Sequence, residues 1–168
     1  YSRTAMTELY NAIDGTVGVG IFYVFNPTIA SDKYFTARMD DGNAVSEINA
    51  VAYTVRAHGG VVATATSTDT SGTAVSTSLT TVAGDFVVDG FAIDNNIAAS
   101  SSGANQTSGL AVTGASIAHS HKSSYKNATT TSTTMSHTMA SSISGGVLHA
   151  VGAFAMLPQV PVDITSDS

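Results

Sequence analysis

Hydrophobic and polar positions alternate with a period of two along most of the chain, the pattern of half-buried strands whose successive side chains point to opposite faces. Val17 to Phe25 (VGVGIFYVF) predicts a central strand, closed by Asn26-Pro27 because proline cannot donate to a ladder. Tyr34, Thr36 and Arg38 alternate with Phe35, Ala37 and Met39, and Asp40-Asp41-Gly42-Asn43 then signals a turn. Ile48 to Val55 alternates again, up to a break at His58-Gly59-Gly60. Thr73 to Val82 carries Val75, Thr77 and Leu79 on one face, Ala83-Gly84-Asp85 turns, and Phe86 to Ile93 (FVVDGFAI) enters the core. Asp94 to Gly109 is rich in Ser, Gly and Asn and predicts a long loop of functional or mobile character. Further strands are expected at Ala115 to Ser124, Thr133 to Met139 and Val147 to Leu157, and Thr4 to Ile13 reads as a strand ending in a turn at Asp14-Gly15.

About nine short strands without a convincing helix predict an all-β chain folded as an antiparallel β-sandwich. The expected division is one sandwich domain over residues 1–157 and an extended, proline-bearing C-terminal tail over 158–168. A chain of 168 residues is long enough to bury a full core as one domain. Beginning at Tyr1 without Met or a leader, it reads as a processed or shortened product.

Composition narrows the function. Ser and Thr supply 22 and 23 residues against 11% charged, so hydration rests on hydroxyls more than on charge. The net charge of −6 repels phosphate backbones, which argues against nucleic acid as a partner. The longest apolar stretch, Gly145 to Leu157, is interrupted by His149 and falls short of the roughly 20 residues that cross a bilayer, so no membrane span is expected. The chain has no Cys, which removes disulfides and thiolate metal sites together. Low Lys content with abundant Thr, Ser, Gly and Asn leans toward an exterior habitat.

Candidate chemistry is sparse. His119 and His121, two apart on a predicted strand, share one face and could seat a divalent metal, although without a carboxylate or Cys beside them a solvated or subunit-facing pair is the plainer reading. Asp40, Asp41 and Asn43, and Asp94 with Asn95 and Asn96, offer hard oxygen ligands for a loop-bound Ca²⁺, yet neither cluster has the spacing of a calcium loop and turn formation accounts for them. His58, His137 and His149 read as packed or hydrogen-bonded core histidines. Asp85 and Asp89 share a strand face but lie too far apart along it to form a dyad by themselves, and no Ser occupies a G-x-S-x-G elbow. No catalytic residue and no resident cofactor is therefore expected. Asn105-Gln106-Thr107 and Asn127-Ala128-Thr129 are glycosylation sequons. Tyr10, Tyr23, Tyr34, Tyr53 and Tyr125, one per predicted strand, suit cross-strand packing better than a sugar-stacking platform.

Ala5-Met6-Thr7, GIFYVFNPT (20–28), INAVAYTV (48–55), TTVAGDFVVDGFA (80–92), SSYKNATTTSTTMSHTM (123–139) and HAVGAFAMLP (149–158) together resemble a jelly-roll-like β-sandwich domain of bacteriophage structural proteins and of large secreted bacterial surface proteins. The resemblance spans nearly the whole chain up to Pro158. The family pattern has Gly-Gly where this chain has Ser2-Arg3, an aromatic residue where it has His137, and about two further strands before the position of Tyr1. A sheet lacking those strands has an open edge that a neighbouring subunit or a leader could complete. The resemblance implies a capsid decoration or fibre subunit on a virion surface, working as a homo-oligomer or with other virion subunits. The alternative is a secreted, extracellular adhesin, pilin-like subunit or carbohydrate-binding module, with surface glycans as partners.

Overall fold

The computed structural model describes residues 5–14, 17–24, 50–55, 58–69, 72–94, 97, 99–113, 119–143 and 145–157. These residues form ten strands and no helix: β1 (Thr7–Asp14), β2 (Val17–Tyr23), β3 (His58–Asp69), β4 (Ala74–Thr80), β5 (Phe86–Ile93), β6 (Ala99–Ser102), β7 (Thr107–Thr113), β8 (Ser120–Asn127), β9 (Ser132–Met139) and β10 (Val147–Met156). All pairings are antiparallel. A five-stranded sheet of order β3-β10-β5-β8-β7 faces a three-stranded sheet of order β4-β9-β6, and β1-β2 forms a hairpin. The chain is an antiparallel β-sandwich, as its alternation implies. Among the described residues no helix is long and apolar enough to cross a membrane.

Alternation divides each central strand between two jobs. On β5, Val87, Phe91 and Ile93 point between the sheets, as do Val147, Val151 and Ala153 on β10; they meet Val75 and Leu79 of β4 and Met135 and Met139 of β9 in two buried apolar clusters. The opposite face of the five-stranded sheet carries Ala92, Leu148 and Ala150, which bury Val17 and Val19 of the hairpin. Gly152 on that face permits the close approach: a Cβ there would stand 2.8 Å from Leu9 Cδ2. β10 is therefore covered on both faces, and its run VLHAVGAF is buried without interruption.

Four expectations need correction. Val17–Tyr23 is not central but half of the two-stranded hairpin laid on the larger sheet. The His58-Gly59-Gly60 break opens a twelve-residue strand, β3, whereas residues 50–55 are not in a strand. The loop expected from Asp94 to Gly109 contains β6 and the start of β7. The strand expected at Ala115 to Ser124 starts instead at Ser120 and runs to Asn127. β3 escapes notice for a physical reason: its inward residues are Ala63, Ala65 and Ser67, small side chains that give a weak hydrophobic signal. Tyr34–Met39 and the tail 158–168 lie outside the described residues.

Candidate functional site

Four inward positions break the apolar pattern at one level of the sandwich. Asp89 lies between Val87 and Phe91 on β5, His149 between Val147 and Val151 on β10, His137 between Met135 and Met139 on β9, and Thr77 between Val75 and Leu79 on β4. The period of two turns each of them into the interior with its apolar neighbours, so a polar layer separates the two apolar clusters. The side chains of Asp89, His137 and His149 are 0% exposed.

Asp89 is the hub. Its Oδ2 accepts from His137 Nε2 at 2.8 Å and from His149 Nε2 at 3.0 Å. Its Oδ1 accepts from the backbone N–H and the hydroxyl of Ser124, both at 2.7 Å, because Asp89 and Ser124 are direct partners in the β5-β8 register. Ser124 Oγ in turn accepts from Gln106 Nε2 at 2.7 Å, and Gln106 Oε1 accepts from the N–H of Ser136 on β9 at 2.9 Å. On the other side, His149 Nδ1 lies 2.8 Å from Thr77 Oγ1, which lies 2.6 Å from Ser67 Oγ. Both sheets are thus joined by one hydrogen-bonded line.

The hydroxyls of Thr77 and Ser67 can each donate or accept, so this line accommodates either tautomer of His149. With Asp89 ionised, a neutral His149 donates to it from Nε2 and accepts from Thr77 at Nδ1. His137 Nδ1 is buried without a hydrogen-bond partner among the described residues.

Burial pushes the Asp89 carboxyl upward, and this is the largest single influence on it; the hydrogen bonds and positive charge from His137 and His149 together outweigh it and hold the group at about 2. Asp89 is accordingly a buried carboxylate satisfied by four donors, the condition under which a buried charge is tolerated. Its field reaches Lys122 and Lys126, opposing the burial that lowers both. Phe91 packs on both imidazoles, with centroids 4.8 Å from His137 and 6.4 Å from His149.

The structure places the residues singled out from sequence in other surroundings. His119, just before β8, sets Nδ1 at 3.2 Å from Asp94 Oδ1, an ion-pair distance outside hydrogen-bond geometry. His121 is half-buried on β8, opposite Ala92 and Val112. Asp94, His119 and His121 do not converge as a set of three donors; among the described residues the trio that does is Asp89, His137 and His149, whose donor atoms lie within 4.8 Å of one another. Asp40, Asp41 and Asn43 lie outside the described residues. Asp85 serves its turn, accepting from the N–H of Val82 at 2.7 Å, with Gly84 beside it at φ +98°. The sequon residues Asn105 and Asn127 are exposed and border one small groove with Lys126 and Thr129. Tyr53 and Tyr125 are not spread singly: with Phe86 they form one cluster, centroids 5.2 to 6.2 Å apart, on the outer face of the five-stranded sheet.

Sequence reading treated Asp89, His137 and His149 one at a time and missed their convergence. The signal that finds them is a polar residue flanked at i−2 and i+2 by buried apolar ones, recurring on four strands: V-x-D-x-F, M-x-H-x-M, V-x-H-x-V and V-x-T-x-L.

No family model, curated protein or solved structure matches the chain.

Proposed function

We infer that the chain is a non-catalytic structural module, a capsid decoration or fibre subunit that stabilises or decorates a viral assembly through contacts of its β-sandwich. One observation supports the non-catalytic part: Asp89, His137 and His149, the trio equipped for acid–base chemistry, are sealed at 0% exposure and joined through Asp89 Oδ2. A general base needs reach to a substrate proton, and none of the three has it. An open groove of about 390 Å³ between β3 and β4 is lined by Ala63, Thr64, Ala65, Ser78, Leu79, Thr80 and Ser132, none of them titratable. The virion assignment rests on the jelly-roll-like sequence blocks and on the hydroxyl-rich, weakly charged composition.

Native mass spectrometry of the natural assembly tests this reading. A symmetric oligomer, or co-assembly with particle subunits, is expected. A chain that stays monomeric and fails to join any particle would overturn it.

A second reading, a secreted adhesin or carbohydrate-binding module, is favoured by the half-buried Tyr53, Phe86 and Tyr125 cluster, because exposed ring faces accept the apolar face of a sugar. Loss of glycan binding on Tyr125→Ala, in a chain that keeps its Tm, is the outcome that supports it.

A further inference from the structure

We propose that Asp89 Oδ2, His137 Nε2 and His149 Nε2 form a buried binding site for one divalent first-row transition-metal ion, Zn²⁺ being the reference case, which staples the two sheets of the sandwich from within. The inference stands independently of the virion reading, since a structural ion would serve either a shell subunit or a secreted module.

Three observations carry it. The donor set comes first: two imidazoles and a carboxylate on three different strands converge so that their ligating atoms lie within 4.8 Å of one another. This mixture of nitrogen and oxygen selects a transition ion over Ca²⁺ or Mg²⁺, which take oxygen shells. The distances come second. In a tetrahedral shell with metal–ligand bonds of about 2.0–2.1 Å, neighbouring ligands stand roughly 3.3 Å apart, and the carboxylate oxygen already lies 2.8 and 3.0 Å from the two nitrogens. An ion takes the place of the shared protons once the three side chains part to admit it.

The outer contacts come third. A metal-bound histidine donates its other N–H to a fixed acceptor, and a metal-bound carboxylate is itself held by hydrogen bonds. His149 Nδ1 lies 2.8 Å from Thr77 Oγ1, a hydroxyl that can accept from an Nδ1–H once an ion takes Nε2. Asp89 Oδ1, the oxygen that does not face the imidazoles, is anchored by Ser124 through two bonds. With its proton on Nδ1, His149 would present the lone pair of Nε2 to the ion. His137, its Nδ1 unconstrained by any hydrogen bond among the described residues, can likewise turn a lone pair at Nε2 inward. Three protein ligands completed by a water is a known composition for zinc. Burial of all three side chains makes the role structural, because no substrate reaches the ion.

The ion is enclosed, so the experiment unfolds the full chain in denaturant with a chelator, refolds it with and without one equivalent of Zn²⁺ or Co²⁺, and examines both samples by native mass spectrometry and thermal unfolding. One ion per chain is expected, with Tm raised by about 5–10 °C when the ion stands a hundredfold above its Kd. The Co²⁺ form should absorb in the visible with the bands of a nitrogen and oxygen shell. His137→Phe, which keeps an aromatic ring against Phe91, should fold yet lose the ion and the Tm increment. The proposal is overturned if the chain refolded in chelator has the same Tm as the Zn²⁺ sample and carries no ion, or if His137→Phe binds metal as the native chain does; the trio is then held by its hydrogen bonds alone.

Discussion

Asp89 of β5 accepts a 2.8 Å hydrogen bond from His137 of β9, across the space between the two facing sheets and out of contact with water. The two residues stand 48 positions apart in sequence, so the bond joins distant parts of the chain. A buried carboxylate serving two imidazoles and a serine makes the centre of the core polar and directional where an ordinary sandwich is apolar. Such a layer tolerates only the pairing that satisfies it, which disfavours slipped registers of β5, β9 and β10.

Truncation of the hub should cost more than truncation of a spoke. Asp89→Ala strips the partner from two buried imidazoles and from the N–H of Ser124, an expected loss of about 3–5 kcal/mol. His137→Phe keeps the ring volume beside Phe91 and leaves the carboxylate three donors, for an expected loss of about 1–3 kcal/mol. Urea unfolding of both variants, metal-free, checks the order. A larger loss for His137→Phe would mean that Asp89 is not the centre of the network.

Acid should weaken the metal-free fold in a defined window. The Asp89 carboxyl sits at about 2 in the folded chain, below its ordinary value of 3.8, because His137 and His149 hold the ionised form more strongly than burial opposes it. A depressed folded value means that the native state binds fewer protons than the unfolded chain, so the contribution is complete above about pH 4 and is lost as pH falls toward 2. The size is on the order of 2 kcal/mol. Urea midpoints measured from pH 6 to pH 2 should fall within that window, and Asp89→Asn should flatten this limb of the curve.

How much of this could be read from the sequence depends on side-chain size. Phe86 to Ile93, Thr133 to Met139 and Val147 to Leu157 announce their strands because large inward residues alternate with small or polar ones, and β5, β9 and β10 fall there to within a residue. β3 is built inward from Ala63, Ala65 and Ser67, and β6 from Ala and Ser, so their signal sinks into the Ser/Thr background. His137 and His149 read as core histidines and Asp89 as half of a carboxylate pair with Asp85 too widely spaced to act, but the meeting of Asp89 with the two histidines depends on β10 pairing beside β5 and β9 lying opposite, a topology that no local spacing encodes. Gln106 was even less legible, standing inside what reads as a loop and a sequon while bridging Ser124 and Ser136.

That bridge is itself testable. Gln106→Ala leaves the N–H of Ser136 without its side-chain acceptor and Ser124 Oγ without its donor, at an expected cost of about 1–3 kcal/mol. Because Gln106 joins β8 of one sheet to β9 of the other, hydrogen exchange should speed up at Ser136 and Ser124 before it does so in the hairpin. Uniform acceleration across all strands would argue that the bridge has no local role.

The hairpin offers the last prediction. Gly152 of β10 faces β1, and an added Cβ would lie 2.8 Å from Leu9 Cδ2, with Ile21 of β2 at 3.8 Å. Gly152→Val therefore forces side chains into a contact already closed, and the expected loss is about 1–3 kcal/mol. The clash is with the far end of a leucine and not with backbone, so shortening that partner should relieve it. Gly152→Val combined with Leu9→Ala is expected to be less destabilised than the sum of the two single variants, a coupling of about 0.5–3 kcal/mol readable in a double-mutant cycle. Additive losses would mean that β1 does not rest on β10 through this pair, and the packing of the hairpin on the outer face of the larger sheet would have to be sought in Val17 and Val19, with Tyr10 and Ile21 beside them.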